Sequence, residues 1–367
     1  MSFFCCNFVP DIFLMTRMTE LKSSKRLPYF DTAKAFGILA VVWGHTMKVG
    51  WTYSLFSVFR IPLFFYISGR FFNKDKYPTL RSLLSARWKR LMVPYFIYSL
   101  VVYAFWAIGA LIGGHTSPHE FWYWFYEIFL AQGSGGFLLL YPMWFVPCLL
   151  MVEIIYFYIA KLPDWANLLC SFGLAIGTTI LLYSDVLPFD LRLAPWSIDS
   201  AMLALPFYSI GNLSRQLHLD RLLERSSKWS LWGVWVLSMA VMTVLSLLEG
   251  KVSLGHADLG VRPYLFYFAA LAGIIGVMVF CYLINEYLKE RPFMRGLNWI
   301  GQLSYDVMAT HVPIKCGAAA VIAWIFGTTV EATSTHFGLA MATFVLTVPV
   351  VLGLVWGIDK VRTRIKG

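Results

Sequence analysis

The 367-residue chain is 59% hydrophobic and only 14% charged, with a mean hydropathy of +0.65. A soluble domain carries roughly a quarter charged residues, so this composition excludes a water-soluble globular protein. The net charge of +10 would raise nucleic acid as a partner in a soluble chain; here the placement of Lys and Arg about a membrane accounts for it, and no nucleic-acid partner is expected.

Residues 1–27 read as an N-terminal cytoplasmic segment outside the fold. Phe3 to Met15 is apolar but interrupted by Pro10 and Asp11, with no basic region before it and no small-residue cleavage site after it. Met15 and Met18 are alternative starts. Cys5 and Cys6 are open to lipidation, although nothing around them forms a strong motif. Cys148, Cys170, Cys281 and Cys316 fall in apolar stretches and read as small core residues. No cysteine pair has metal-ligand spacing, and no metal is expected.

A membrane helix needs about 20 mostly apolar residues. Ten segments qualify: 34–50, 54–72, 91–112, 137–160, 165–183, 197–213, 229–248, 262–285, 298–326 and 337–357. The expected fold is therefore an all-α polytopic membrane protein of about ten transmembrane helices, spanning residues 28–360 and followed by a basic cytoplasmic tail, 361–367. The aromatic stretch 120–131 is short and amphipathic, and reads as lying on the surface. Ten spans put both termini on one side. If that side is cytoplasmic, 24 of the 30 Lys and Arg lie inside. The other six are Lys48, Arg60, Arg192, Lys251, Arg262 and Lys315. The asymmetry supports this orientation.

In the first helix Lys34 and His45 are eleven residues apart. At about 100° per residue they share a face, with a rise of about 16 Å between them. Asp31 falls near the same face, so one stripe runs from a charged pair at the cytosolic mouth to an imidazole deep in the membrane. Ala33, Gly37, Ala40 and Gly44 form a small-residue seam that lets another helix approach closely. An ionisable residue at the depth of His45 is functional by default, the alternative being an interhelical hydrogen bond. Lys34 reads equally as a snorkelling end residue.

Arg60 precedes Pro62–Gly69 near the outer side, where it is a substrate-binding candidate or an interfacial snorkel. The cytosolic run Arg87-Trp-Lys-Arg90 puts two guanidinium groups three apart, on one helical face. Such a pair suits phosphates, although the positive-inside rule also places charge there. Trp144 and Phe145, near the outer end of the fourth span, either stack on a sugar ring or belong to the aromatic belt. Glu153, inside that span, needs a partner, with Arg60 or a histidine as candidates. The ninth span carries His311 at a depth similar to His45. Ser304 shares its face, and Asp306 points elsewhere toward another helix. His311 is either functional or structural polar glue. His115, His119, His218, His256 and His336 read as solvated.

Taken together, these segments resemble the acyltransferase-3 family. Lys34 and His45 match its basic residue, ten residues, then His. Pro62 to Gly69 matches Pro-Leu-Phe-Phe-x-x-Ser-Gly. Arg87 to Pro94 matches Arg-x-x-Arg-(Ile/Leu)-x-x-Pro, and Gly301 to His311 matches Gly-x-x-Ser-Tyr-x-x-x-x-x-His. The departures are Lys34, where many members have Arg, and Asp306, where an apolar or small residue is usual. The Asp-x-x-Lys-Ala-Phe-Gly-Ile and Trp-Phe-Val-Pro stretches look closest to the fucose 4-O-acetylase-like branch, as a stand-alone member.

The resemblance implies transfer of an acetyl or other short acyl group from cytosolic acyl-CoA. The acceptor implied is a sugar hydroxyl of lipopolysaccharide, exopolysaccharide or a lipid-linked precursor, at the cell inner membrane. Arg87, Arg90 and Lys34 would then meet the donor phosphates. His45 would act as general base or carry the acyl group as an acyl-imidazole, with His311 orienting it or binding acceptor. Either role needs the neutral imidazole. A transporter or flippase of a lipid-linked or small polar substrate is the alternative, since polar residues along a helix face also suit a translocation path. A non-catalytic membrane assembly partner is the third.

Overall fold

The computed structural model describes residues 27–113, 117–133, 138–184, 186–288 and 291–366. The expectations for residues 1–26, including Cys5, Cys6 and the alternative starts, lie outside the described residues, as do those for His115 and Lys289. Among the described residues the chain forms helices and no named strand, the one isolated β-bridge joining Ser253 to Asp258.

The first helix, α1, is Pro28–Thr46; a proline in its first turn presets the backbone and Asp31 faces the positive end of the helix dipole. A short helix, α2 (Trp51–Ser57), leads into α3 (Arg60–Phe71). Next, α4 (Leu80–Arg87) opens on a Thr79–Ser82 capping box and continues through a wide π turn, Trp88–Met92, into α5 (Val93–Gly113). The expected surface segment is α6 (Pro118–Leu130), opened by a Ser117–Glu120 capping box. Then follow α7 (Phe145–Ile159), α8 (Asp164–Leu182), α9 (Ile198–Gln216), α10 (Leu219–Arg225), α11 (Lys228–Glu249) and α12 (Pro263–Leu288). The chain closes with α13 (Pro292–Gln302), α14 (Ser304–Ile325), α15 (Ala332–Thr335) and α16 (Phe337–Lys366).

Seven helical stretches among the described residues are long and apolar enough to cross a membrane: Leu80–Gly113, Tyr141–Ile159, Asp164–Leu182, Lys228–Glu249, Pro263–Leu288, Ser304–Ile325 and Phe337–Ile365. The chain is a multi-pass membrane protein. The three further segments expected as spans contain α1, α3 and α9, which are shorter or more polar. They can be so because they lie inside the bundle. Fourteen of the nineteen residues of α1 are buried, so its polar groups meet protein and not lipid.

Close packing around α1 rests on glycine. A side chain at Gly301 of α13 would collide with the Asp31 carbonyl, and α3 and α9 meet where Gly69 faces the Tyr208 carbonyl and Gly211 faces that of Tyr66. The seam on α1 receives α3: Phe64 lies 3.0 Å from where a Cβ on Gly37 would sit, and the Arg60 guanidinium fills the space beside Gly44. Polar bonds lock the same core. Asn285 of α12 donates to Thr32 (2.7 Å), and Thr32 donates to Asn298 of α13 (2.6 Å). In a membrane interior such interhelical bonds are worth roughly 0.6–2 kcal/mol each.

Candidate active site

A cavity of about 920 Å³ runs along α1 between α3, α5, α14 and α16. Lys34, Arg90 and Arg362 line it toward one mouth, and His45, Pro142 and Trp144 toward the other. The rise along α1 from Lys34 to His45 is about 16 Å, so the stripe read from the sequence is one wall of this cavity. Ser304 and Asp306 of α14 also line it.

The two imidazoles meet. The His45 and His311 ring centroids are 5.1 Å apart with the ring planes tilted at 51°, leaving no room for a third group between them. His311 is fully buried. Its Nδ1 lies 3.0 Å from the Val307 carbonyl and 2.9 Å from that of Met308. A carbonyl only accepts, so Nδ1 carries the hydrogen and Nε2 carries the lone pair. That Nε2 is buried and makes no hydrogen bond. A buried acceptor left bare beside a second imidazole is costly, which makes the pair a candidate site.

The π turn separates the two arginines that the sequence puts on one face. Arg90 is exposed and lines the cavity. Arg87 turns the other way, its Nε 2.6 Å from Glu153 Oε2 in an ion pair whose side chains are 11% and 2% exposed. The partner of Glu153 is thus Arg87, not Arg60 or a histidine. The Tyr208 hydroxyl donates to the other carboxylate oxygen at 3.3 Å. Glu153 and Arg87 do not line the cavity. π turns inside helices are frequent at functional sites, and this one brings Arg90 to the mouth.

Sequence reasoning missed Arg362. It holds Asp306 through two nitrogens, at 2.7 and 2.8 Å, and the Tyr98 hydroxyl donates to Asp306 at 2.6 Å. Asp306 does pair with another helix, as expected, and the bidentate pair ties α14 to α16 at the mouth. In the sequence Arg362 is one of four basic residues near the C-terminus, which charge asymmetry alone explains; only the unusual Asp306 hinted at a partner. Lys34 bonds Asp31 at 3.1 Å and remains 27% exposed.

At the His45 end, Arg60 is buried against α1 and its guanidinium donates to the Ala40 carbonyl at 3.4 Å. It also stacks over Tyr53 at 5.3 Å. Tyr141 packs edge-on against His45, with ring centroids 5.9 Å apart, and its hydroxyl lies 2.8 Å from His256 Nδ1. Ser253 Oγ is 2.7 Å from the same nitrogen. His256 is exposed, as the sequence reading expects, and it borders this end through Tyr141 and Ser253. Desolvation in its loop, then the neighbouring Lys251, lowers its pKa below the ordinary histidine value. Trp144 is buried, with its ring against Gly255. Among the described residues, no group of three or more His, Cys, Asp or Glu is placed to hold a metal ion.

The fold is a membrane bundle with a long cavity, basic side chains toward one mouth and an imidazole pair toward the other end. Residues 27–359 match the family model for the acyltransferase-3 "Acyltransferase domain". The chain belongs to the acyltransferase-3 family and is a membrane acyltransferase. No curated protein and no solved structure gives a match.

Proposed function

We propose that this protein transfers an acetyl or other short acyl group from acyl-CoA to a sugar hydroxyl of a cell-surface polysaccharide or its lipid-linked precursor. The reading places it in the inner membrane with both termini cytoplasmic, in the fucose 4-O-acetylase-like branch. One observation carries it: the imidazole pair stands at the far end of a cavity whose near mouth holds Lys34, Arg90 and Arg362. The polyanionic donor meets the basic mouth, and its acyl-bearing arm runs along α1 to His45. Arg87, held by Glu153, positions α4 and leaves phosphate contact to Arg90 and Lys34.

His45 takes the proton from the acceptor hydroxyl as its oxygen attacks the thioester carbonyl carbon. The tetrahedral intermediate collapses, the C–S bond breaks, and the thiolate takes that proton back from His45 to leave as free thiol. His311 presents a lone pair at Nε2 to the ring of His45 and stabilises the imidazolium that forms. This assignment favours a general base over an acyl-imidazole, because a partner that accepts a hydrogen from His45 serves a protonated ring.

The test is the acyl content of the host's surface glycans, by NMR, in a deletion strain complemented with wild type or with His45→Ala. Acetyl that vanishes on deletion and returns only with wild type supports the reading, and the lost resonance names the sugar. Full restoration by His45→Ala overturns the site. Unchanged acetylation with altered glycan export transfers the function to a flippase.

A further inference from the structure

The positive-inside rule depletes the outer side of Lys and Arg, and ten spans leave six there. Four of those six, Lys48, Arg60, Lys251 and Lys315, gather at the His45 end of the site. Lys48 follows His45 by three residues, and Lys315 follows His311 by four, one turn along α14. Lys251 lies 5.6 Å from the ring of Tyr53, the ring that also stacks on Arg60. The remaining two basic residues are accounted for otherwise. Arg192 sits 3.5 Å from Asp190, and Arg262 lies beside Glu249, which accepts from its backbone nitrogen at 2.5 Å.

None of the four clustered cations forms an ion pair with a carboxylate among the described residues. For Arg60 this matters most, because it is only 9% exposed. The partners of that guanidinium, the Ala40 carbonyl and Tyr53, are neutral, so its charge has no opposite among the described residues and an anion supplies one. Gly44 clears the space in which that guanidinium lies, next to His45 in the chain. The cation is therefore built in beside the reacting imidazole, where a snorkelling residue would reach outward to the interface.

We infer that the acceptor is anionic: the hydroxyl activated by His45 lies close to a carboxylate or phosphate that Arg60 binds, drawn in by Lys48, Lys251 and Lys315. Tyr141, Ser253 and His256 supply neutral hydrogen-bond partners for the sugar around that anchor. A uronic acid and a phosphate-bearing saccharide share this chemistry. The inference rests on the acyltransferase reading and narrows it to one class of acceptor.

The experiment uses membrane vesicles containing the full chain and labelled acetyl-CoA. Host glycans are separated by anion exchange into neutral and anionic fractions, and each is offered as acceptor. The anionic fraction is also offered after carbodiimide–borohydride reduction of its carboxylates, and after phosphatase treatment. Label entering the anionic fraction and lost on carboxyl reduction supports a uronate; label lost on phosphatase treatment supports a phosphate. Label entering the neutral fraction equally, or unaffected by both treatments, overturns the inference while the acyltransferase reading stands. Label entering no fraction sinks both. Arg60→Gln should lower transfer to the anionic acceptor about tenfold to a hundredfold, mainly through KM, the range for one charged hydrogen bond. Acyl-CoA binding should be unchanged. Lys315→Gln, on a half-buried site, provides the same comparison if Arg60→Gln does not fold; equal loss with charged and charge-neutralised acceptors in the folded variants overturns the inference.

Discussion

Replacing Arg87 by methionine removes a guanidinium whose Nε lies 2.6 Å from Glu153 Oε2, in a pair with side chains 11% and 2% exposed. The stem keeps its packing, but the Glu153 carboxylate is left inside the bundle with only the Tyr208 hydroxyl, at 3.3 Å. Breaking a buried pair by deleting one partner costs about 3–5 kcal/mol, because the survivor is uncompensated. Removing both charges in Arg87→Met/Glu153→Leu should recover most of that, leaving the loss of one tyrosine hydrogen bond, about 1 kcal/mol. The assay is denaturant unfolding of the purified protein in detergent, with acyl-CoA affinity measured by calorimetry on the same samples. The expected pattern is a large stability loss in the single variant, recovery in the double, and near-native acyl-CoA affinity in the double. An Arg87→Met protein that unfolds like wild type but loses acyl-CoA binding would refute this argument and return Arg87 to the phosphate site.

Arg90→Met should do the reverse: acyl-CoA affinity falls about tenfold, the scale of one charge-assisted contact, while unfolding stays within about 0.5 kcal/mol. Titrations at two ionic strengths check it, since the wild-type affinity should fall with salt more steeply than the variant's. His311→Gln removes the imidazole lone pair beside His45 and should lower kcat about a hundredfold or more, within the range of proton-transfer roles. Its KM for acyl-CoA should hold; a change in KM alone would assign His311 to binding.

The helical character of the chain and the stripe from Lys34 to His45 were legible because both follow from composition and from the 3.6-residue repeat. The meeting of His45 with His311 was only half legible. Their similar depth could be counted along two helices, but contact depends on how α14 turns against α1, and the spacing of one helix carries no information about another. The splitting of Arg87 from Arg90 was hidden for a local reason. A three-residue spacing places two side chains together on an α-helix, and the π turn at Trp88–Met92 breaks that rule just ahead of Pro94, which has no N–H to give the Arg90 carbonyl. His256 is exposed as read, and only its contact with Tyr141, 115 residues away in the chain, was hidden.

Two of the helices that carry candidate site residues are unlike membrane spans. Lys34 and His45 lie on α1 and Arg60 on α3, and neither helix is among the seven that are long and apolar enough to cross unaided. The reason is physical. A lipid-facing helix such as α11 must be apolar on its exposed sides, so a charge on it is expensive. A helix surrounded by protein escapes that demand, and its polar groups can be satisfied by neighbours, as Thr32 is by Asn285 and Asn298. The apolar helices form the solvent in which the polar ones work. Low hydropathy in α1 and α3 therefore marks helices enclosed by protein.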